Sequence, residues 1–215
     1  FTGDATPVQR PAYRISPLMA QVQKEQLDEM LALGIIVPID SPWRSSIVMV
    51  PKKDGNSYRM CVDYRALNAV TKPDAMLLPR IDDSLEAVAG NVYYSTIDLF
   101  SGFWQVPMNP EDIEKTAFAT TRYGTYAFTV MPFGLRNAPA TFQRMMNQIL
   151  FKYINVFITI YLDDVIIYSG SYEAHLEHLA LVFSALQDAR LQINPQKCEF
   201  MKSEVKFLGH IVGHS

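Results

Sequence analysis

The fifteen residues VFITIYLDDVIIYSG, 156–170, constrain the fold more than any other stretch of the chain. Two apolar, β-branched runs flank a tandem of carboxylates, Asp163 and Asp164, that is entered through Tyr161 and Leu162. Such runs are short for helices and rich in strand formers, so 156–161 and 165–169 are expected to be strands buried on at least one face, with the acidic pair between them. Two bare carboxylates ~4 Å apart repel by roughly 4 kcal/mol at an effective dielectric near 20. A chain tolerates that where water solvates the pair, as in an Asx-rich turn, or where cations neutralise it.

Asp98 tips the reading toward cations. It closes a second apolar strand, VYYSTID at 92–98, and Ser101-Gly102 follow in a tight turn. Two strand ends that deliver three carboxylates form the kind of donor set hard divalent ions take. A pair of such ions activates an attacking hydroxyl and stabilises a leaving oxygen, so the expected chemistry is phosphoryl transfer. Polymerase, nuclease and phosphatase all remain open on that ground. A hairpin expected at 47–50 and 58–62, around Lys52-Lys53-Asp54-Gly55-Asn56, carries Lys52 and Arg59. It reads either as a cationic flap over a triphosphate or as a solvated tip.

The remaining elements follow from caps and periodicity. Ser16-Pro17 starts a helix that Gly34 stops, 82–89 is a short helix closed by Gly90, and 117–121 with 126–131 form a hairpin. Pro139 opens a helix with Phe142, Met145, Met146, Ile149 and Tyr153 on its core stripe, and 171–189 is a long amphipathic helix. Short strands are expected at 191–193 and 205–208. Strands joined by crossing helices indicate an α+β or α/β sandwich with helices on one face of a sheet. Asp63 and Arg65, either side of Tyr64, are candidates for a structural ion pair. His175 and His178, spaced i, i+3 without a third ligand type nearby, are expected on a solvated helix face.

Composition excludes little. Hydrophobic residues at 49% and charged residues at 19% fit a packed globular chain, and no apolar run approaches the ~20 residues of a membrane span. A signal peptide is not expected, and Phe1 in first position suggests a piece of a longer chain or a processed product. The net charge of −3 opposes nucleic acid as a partner, yet between Arg44 and Arg80 seven Lys and Arg face only Asp54, Asp63 and Asp74. Cys61 and Cys198 read as packed thiols in a reducing compartment.

Five blocks then carry a resemblance: SPWRSSIVMVPKKDGNSYRMCVDYRALN, YYSTIDLFSGFWQV, KTAFATTRYGTYAFTVMPFGLRNAPATFQRMMN, YLDDVIIYS and VKFLGHIVG. In this order and spacing the chain closely resembles the reverse transcriptase of gypsy-type LTR retrotransposons and their retroviral relatives, over residues 14–213. The resemblance implies a right-hand polymerase of α+β class whose palm is a ferredoxin-like βαββαβ antiparallel sheet. Fingers would comprise 1–73 and 106–137, and palm 74–105 and 138–215, ending in the primer-grip hairpin. Thumb, connection and RNase H would fall outside these residues.

It further implies that Asp98, Asp163 and Asp164 bind two Mg²⁺ ions, for which Mn²⁺ would substitute, with Asp98 and Asp163 the most direct ligands. Lys52, Arg59 and the Ser101 and Gly102 amides would contact a dNTP. Phe103, in place of the more frequent Tyr, would collide with a ribose 2′-hydroxyl, and Phe133 and Gly134 would line the nucleotide pocket. Arg136 stands where Lys is more usual. Asp63, Arg65, Tyr161, Leu162, Phe207, Leu208, Gly209 and His210 would meet template or primer. Expected partners are RNA or DNA template-primer, dNTPs and the rest of the Pol polyprotein, including thumb, RNase H and integrase, with no membrane. The expected location is intracellular, in a cytoplasmic virus-like particle. The expected function is RNA-directed DNA polymerase. The alternative is a domesticated, non-catalytic copy that binds nucleic acid or protein. A phosphoacceptor receiver domain also clusters aspartates, but its alternating βα units conflict with the hairpins here.

Overall fold

The computed structural model describes residues 2–52, 55 and 57–213. Along the chain run α1 (Pro17–Ala32), β1 (Ile36–Pro38), β2 (Ser46–Pro51), β3 (Tyr58–Asp63), α2 (Arg65–Val70), α3 (Ile81–Val88) and β4 (Tyr93–Ile97). After two 3₁₀ turns come β5 (Phe118–Ala119), β6 (Thr125–Phe128), α4 (Ala138–Leu150), β7 (Ile158–Tyr161) and β8 (Asp164–Ser169). The chain ends in α5 (Tyr172–Asp188), β9 (Glu199–Lys202), β10 (Glu204–Phe207) and β11 (His210–Gly213). Two compact units result, one of residues 1–73 and 106–138, the other of 74–105 and 139–215.

In the first unit the Ser16 hydroxyl accepts the Met19 N–H at 3.3 Å and Pro17 opens α1, while Gly34 at φ +69° ends it. Ala20, Gln23, Leu27 and Met30 form the buried stripe of α1. Strands β2 and β3 pair antiparallel from Ser46↔Asp63 to Pro51↔Tyr58. A second sheet runs β1-β6-β5, and Ser45 bridges to Phe118 beside it. Gln26 of α1 completes the free edge of β3: its carbonyl oxygen accepts the Met60 N–H at 2.9 Å and its amide donates to the Tyr58 carbonyl at 2.8 Å. The side-chain amide thus stands in for a neighbouring strand. Gln26→Leu removes both partners at once and is expected to cost about 1–3 kcal/mol. Faster amide exchange at Met60, together with a lower midpoint for this unit in a denaturant titration, is the check.

The second unit is a four-stranded antiparallel sheet in the order β7-β8-β4-β9. With α4 between β4 and β7, and α5 between β8 and β9, the connectivity is βαββαβ, the ferredoxin-like arrangement. Strand β8 is central and buried on both faces, which explains its unbroken VIIY run. One face meets α5. The other carries Tyr94, Ile166 and Tyr168 against Val88 of α3 and Val205, Phe207 and Val212 of the β10–β11 hairpin. Helices on a single face are therefore only part of the architecture, since α3 and a hairpin close the opposite side.

The face toward α5 contains a polar chain rather than pure hydrocarbon. His175 is 0% exposed and lies 2.7 Å from both the Ser95 and the Ser169 hydroxyls, and Ser169 also reaches His178 at 2.7 Å. The Met201 N–H donates to Ser95 at 3.1 Å. One proton direction satisfies every member: Met201 N–H to Ser95, Ser95 O–H to His175 Nε2, His175 Nδ1–H to Ser169, Ser169 O–H to His178 Nδ1. Both imidazoles are then neutral. The expectation of a solvated histidine face is thus overturned for His175, which turns inward because two serines on the sheet supply its partners. His178, half-buried, stacks on Phe157 at 3.8 Å.

Three further differences are local. The strand expected at 191–193 reduces to a single bridge between Ile193 and Leu99, made by the Asn194 N–H to the Asp98 carbonyl and the Phe100 N–H to the Gln192 carbonyl; beyond it the Gln192 N–H is taken by the Gln105 side chain, and Pro195 has no N–H to give. The 117–131 hairpin is shorter than expected, with its turn drawn in by the Thr120 N–H to the Gly124 carbonyl. Strands β1, β9 and β11 and helix α2 are additional. Lys53, Asp54 and Asn56 of the expected basic turn lie outside the described residues. Among the described residues no helix is long and apolar enough to cross a membrane.

Candidate active site

The carboxylates are brought together by strand register. β4 pairs with β8 from Tyr93↔Ser169 to Ile97↔Val165, and β7 closes on β8 at Tyr161↔Asp164. The β4–β8 ladder runs to Ile97↔Val165, so Asp98 and Asp164 adjoin its last rung on neighbouring strands, and Asp163 precedes Asp164 on the turn. Although Asp163 and Asp164 keep exposed surface, desolvation by the surrounding protein pushes the Asp163 carboxyl above the ordinary carboxylate range, and the charges of Asp164 and Asp98 push it further. Desolvation raises Asp164 as well, with the Asp98 charge adding to it. Among the described residues no set of three or more His, Cys, Asp and Glu converges closely enough to hold an ion. The donors nonetheless suit a hard divalent cation: they are carboxylate oxygens on two strand ends, and each gains from positive charge nearby.

Each strand end is held by residues distant in sequence. The Cys198 sulfur accepts the Asp98 N–H at 3.3 Å, its thiol points back at the Asp98 carbonyl at 3.6 Å, and the Asn194 N–H donates to that carbonyl at 2.8 Å. Burial raises the Cys198 thiol, which therefore stays protonated. On the other strand end Leu162 has φ +53°, the pattern of a two-residue hairpin with positive φ in its first position. Glycine is preferred there, and a leucine stores strain of about 1–3 kcal/mol. The Leu162 N–H is taken by the side-chain oxygen of Gln143, on α4. Gln143, Cys198 and Asn194 carried no signal in the sequence, because each acts through a long-range contact with the backbone.

Ser101 at φ +46° turns the chain after Asp98 and leads into the 3₁₀ turn Gly102–Gln105. A left-handed residue followed by helical ones points successive amides the same way, which makes an anion-seeking concavity. A side chain at Gly102 would meet the Phe142 ring at 3.2 Å. Phe103 is only 7% exposed and packs edge-on to Phe142 with centroids 5.4 Å apart. Tyr161 and Leu162 are half-buried, and Tyr161 leans on the core beneath β10 and β11. Phe207 lies in that core at 2% exposure. Leu208 and Gly209 both have positive φ between the paired Phe207 and His210, a type I′ turn, and His210 is exposed.

The candidates in the first unit are placed as follows. Lys52 and Arg59 are exposed near the tip of the β2–β3 hairpin, where the Lys52 N–H donates to the Ser57 carbonyl at 2.8 Å. Arg65 donates to Asp63 through Nε at 2.8 Å and a terminal nitrogen at 2.6 Å, and the pair holds the Asp63 carboxyl below its usual range. That geometry favours the ion-pair reading for Asp63. Phe133 is 55% exposed, and Gly134 takes φ +90° with its carbonyl accepting from Asn68 at 2.8 Å. Arg136 donates to the Asn68 and Thr71 carbonyls at 3.4 and 3.3 Å, so its charge is partly committed to the fold.

Known proteins can now be set beside this geometry. A sequence model of the family described as "Reverse transcriptase (RNA-dependent DNA polymerase)" matches residues 50–212. The chain is 45% identical over 211 residues to the retrovirus-related Pol polyprotein from transposon 297 of Drosophila melanogaster, covering 96% of this chain and 20% of that one. Against the Pol polyprotein from transposon gypsy of the same organism it is 35% identical over 216 residues, covering 98% and 21%. Among solved structures, the foamy viral protease-reverse transcriptase in complex with an RNA/DNA hybrid superposes with a TM-score of 0.89 at 29% identity, covering 99% of this chain and 28% of that one. The complex of the foamy viral protein with dsDNA gives 0.87 at 29%, covering 99% and 44%. The chain thus spans about a fifth of the length of these Pol relatives.

Proposed function

The chain belongs to the reverse transcriptase family, and from that premise we propose that it performs RNA-directed DNA synthesis as the fingers and palm of a retrotransposon Pol polyprotein. The observation that supports the proposal is the β4–β8 register, which runs to Ile97↔Val165 and so starts Asp98 and Asp164 from neighbouring strand ends. In this reading the second unit is the palm and the first the fingers. The reaction joins a dNMP to a primer 3′-hydroxyl along an RNA or DNA template and releases pyrophosphate.

Asp98 and Asp163 would hold two Mg²⁺ ions, or Mn²⁺ in their place, with Asp164 in support. When bound, the ions supply charge neutralisation at the phosphates and a more acidic primer hydroxyl. The chain's own residues do the rest. The Ser101 and Gly102 amides would receive phosphate oxygens, and Phe103, wedged by Phe142, would deny space to a 2′-hydroxyl. In the fingers, Lys52 and Arg59 would meet the triphosphate, and Phe133 with Gly134 would border the base. Phe207 anchors the hairpin that presents Leu208, Gly209 and His210 to the primer. Template-primer as a partner is argued from the foamy viral complexes, and the rest of a Pol polyprotein from the relatives' length. A cytoplasmic virus-like particle is the proposed place of work.

Incubated with a primed RNA template, dNTPs and Mg²⁺ or Mn²⁺, the protein is expected to extend the primer, and EDTA to stop it. Template-primer binding with no extension under either metal would instead favour a non-catalytic binding domain.

A further inference from the structure

We infer that Gln143 is a positioning residue of the polymerase site, and that α4 acts as a ruler for both acidic strand ends. The inference rests on the polymerase reading. Gln143 is 0% exposed, an unusual place for an amide unless both of its ends are bonded. Its oxygen accepts the N–H of Leu162, and its nitrogen donates to the Asn147 side chain at 2.9 Å and to the Ile160 carbonyl at 3.3 Å. It therefore grips the acidic turn on the strand before it and at its first residue. The neighbouring Phe142 supports the other loop, since its ring lies against Gly102 and Phe103, just beyond Asp98. Two consecutive residues of one helix thus touch the two segments whose carboxylates must act together.

The turn needs such a grip. Leu162 is held at a positive φ that its side chain disfavours, and without a partner for its N–H the two-residue loop can relax into another geometry. Relaxation would carry Asp163 with it, and a displacement of ~1 Å at a reacting centre costs on the order of 100-fold in rate. Gln143 touches no substrate in this account. It acts through Leu162.

The test is Gln143→Leu, which keeps the volume and deletes the amide. Expected results are a kcat for primer extension lower by about 100-fold with KM for dNTP within about threefold. Amide exchange at Leu162 is expected to accelerate at least tenfold while Ile166, in the ladder of β8, stays protected. Broadening of the Asp163 and Asp164 amides by Mn²⁺ is expected to need roughly tenfold more metal. A kcat within twofold of the parent, or unchanged exchange at Leu162, overturns the inference. If the leucine variant does not fold, Gln143→Glu keeps an acceptor for Leu162 and should preserve its protection, and loss of protection there overturns the inference equally. A parent protein that never extends a primer defeats the polymerase reading, whereas the exchange and Mn²⁺ comparisons still decide the role of Gln143.

Discussion

Asp163→Asn is expected to abolish primer extension while leaving the fold intact. Asparagine is nearly isosteric, so the turn keeps its shape, but it brings no charge to a cation and binds one poorly. Loss of one preorganised electrostatic contact to a transition state costs ~10²–10³-fold, about 3–4 kcal/mol, and a metal ligand stands at the upper end of that range. Stability should move the other way. In the metal-free protein Asp163 is opposed by desolvation and by the charges of Asp164 and Asp98, so removing its charge relieves repulsion. The variant should therefore melt at or above the parent's temperature in EDTA, and gain less than the parent when Mn²⁺ is added. Single-turnover extension and thermal melts with and without Mn²⁺ measure both halves. Near-parental extension by the variant would remove Asp163 from the chemistry.

The second large effect is an acid limit set by His175. Burial, with the His178 charge adding to it, lowers the His175 pKa from 6.5 to about 4. A histidine with a depressed folded pKa binds fewer protons folded than unfolded. Its contribution to stability is therefore complete above pH 6.5 and drains away as the pH falls toward 4, at up to about 1.4 kcal/mol per pH unit. Over that window the second unit should lose roughly 3 kcal/mol. The groups facing the ring are Ser95, Ser169, His178 and the Tyr93 ring at 6.2 Å, with no carboxylate among these contacts to rescue the cation. His175→Phe takes one partner from each serine, the acceptor of the Ser95 hydroxyl and a donor to Ser169, and lowers stability at pH 8, but it should flatten the slope between pH 6.5 and 4. Urea titrations across that range separate the variant from the parent. A parent slope no steeper than that of the phenylalanine variant would show that the ring is not held neutral.

How much of this was legible depended on whether a feature was written locally. The helix over 17–32 announced itself through Ser16-Pro17 and Gly34, and the acidic turn through the apolar runs on either side. Those signals reside in adjacent residues, where propensity and capping act. The likeness to reverse transcriptases was legible for the same reason, since its blocks are contiguous. What stayed hidden was pairing between distant segments. Nothing near Cys198 says that its thiol will clasp Asp98, and nothing near Gln26 or Gln143 says that an amide will serve as a surrogate strand or a turn brace. His175 failed for a related reason: polarity on a helix suggests water, and only the sheet beneath could supply two hydroxyls. The strand proposed at 191–193 looked adequate in propensity, but pairing stops after one bridge, because the distant Gln105 side chain takes the Gln192 N–H.

The β4–β8 ladder, whose last rung Ile97↔Val165 adjoins both Asp98 and Asp164, has a consequence for how such a centre ages. Main-chain hydrogen bonds are indifferent to which side chains they carry, so substitutions can accumulate over most of the palm without altering the gap between its acids. Insertions and deletions are another matter. A single residue gained or lost inside either strand would turn one carboxylate to the opposite side of the sheet. Lineages of this domain should therefore diverge freely in spelling while keeping strict count between Tyr93 and Asp98 and between Asp164 and Ser169.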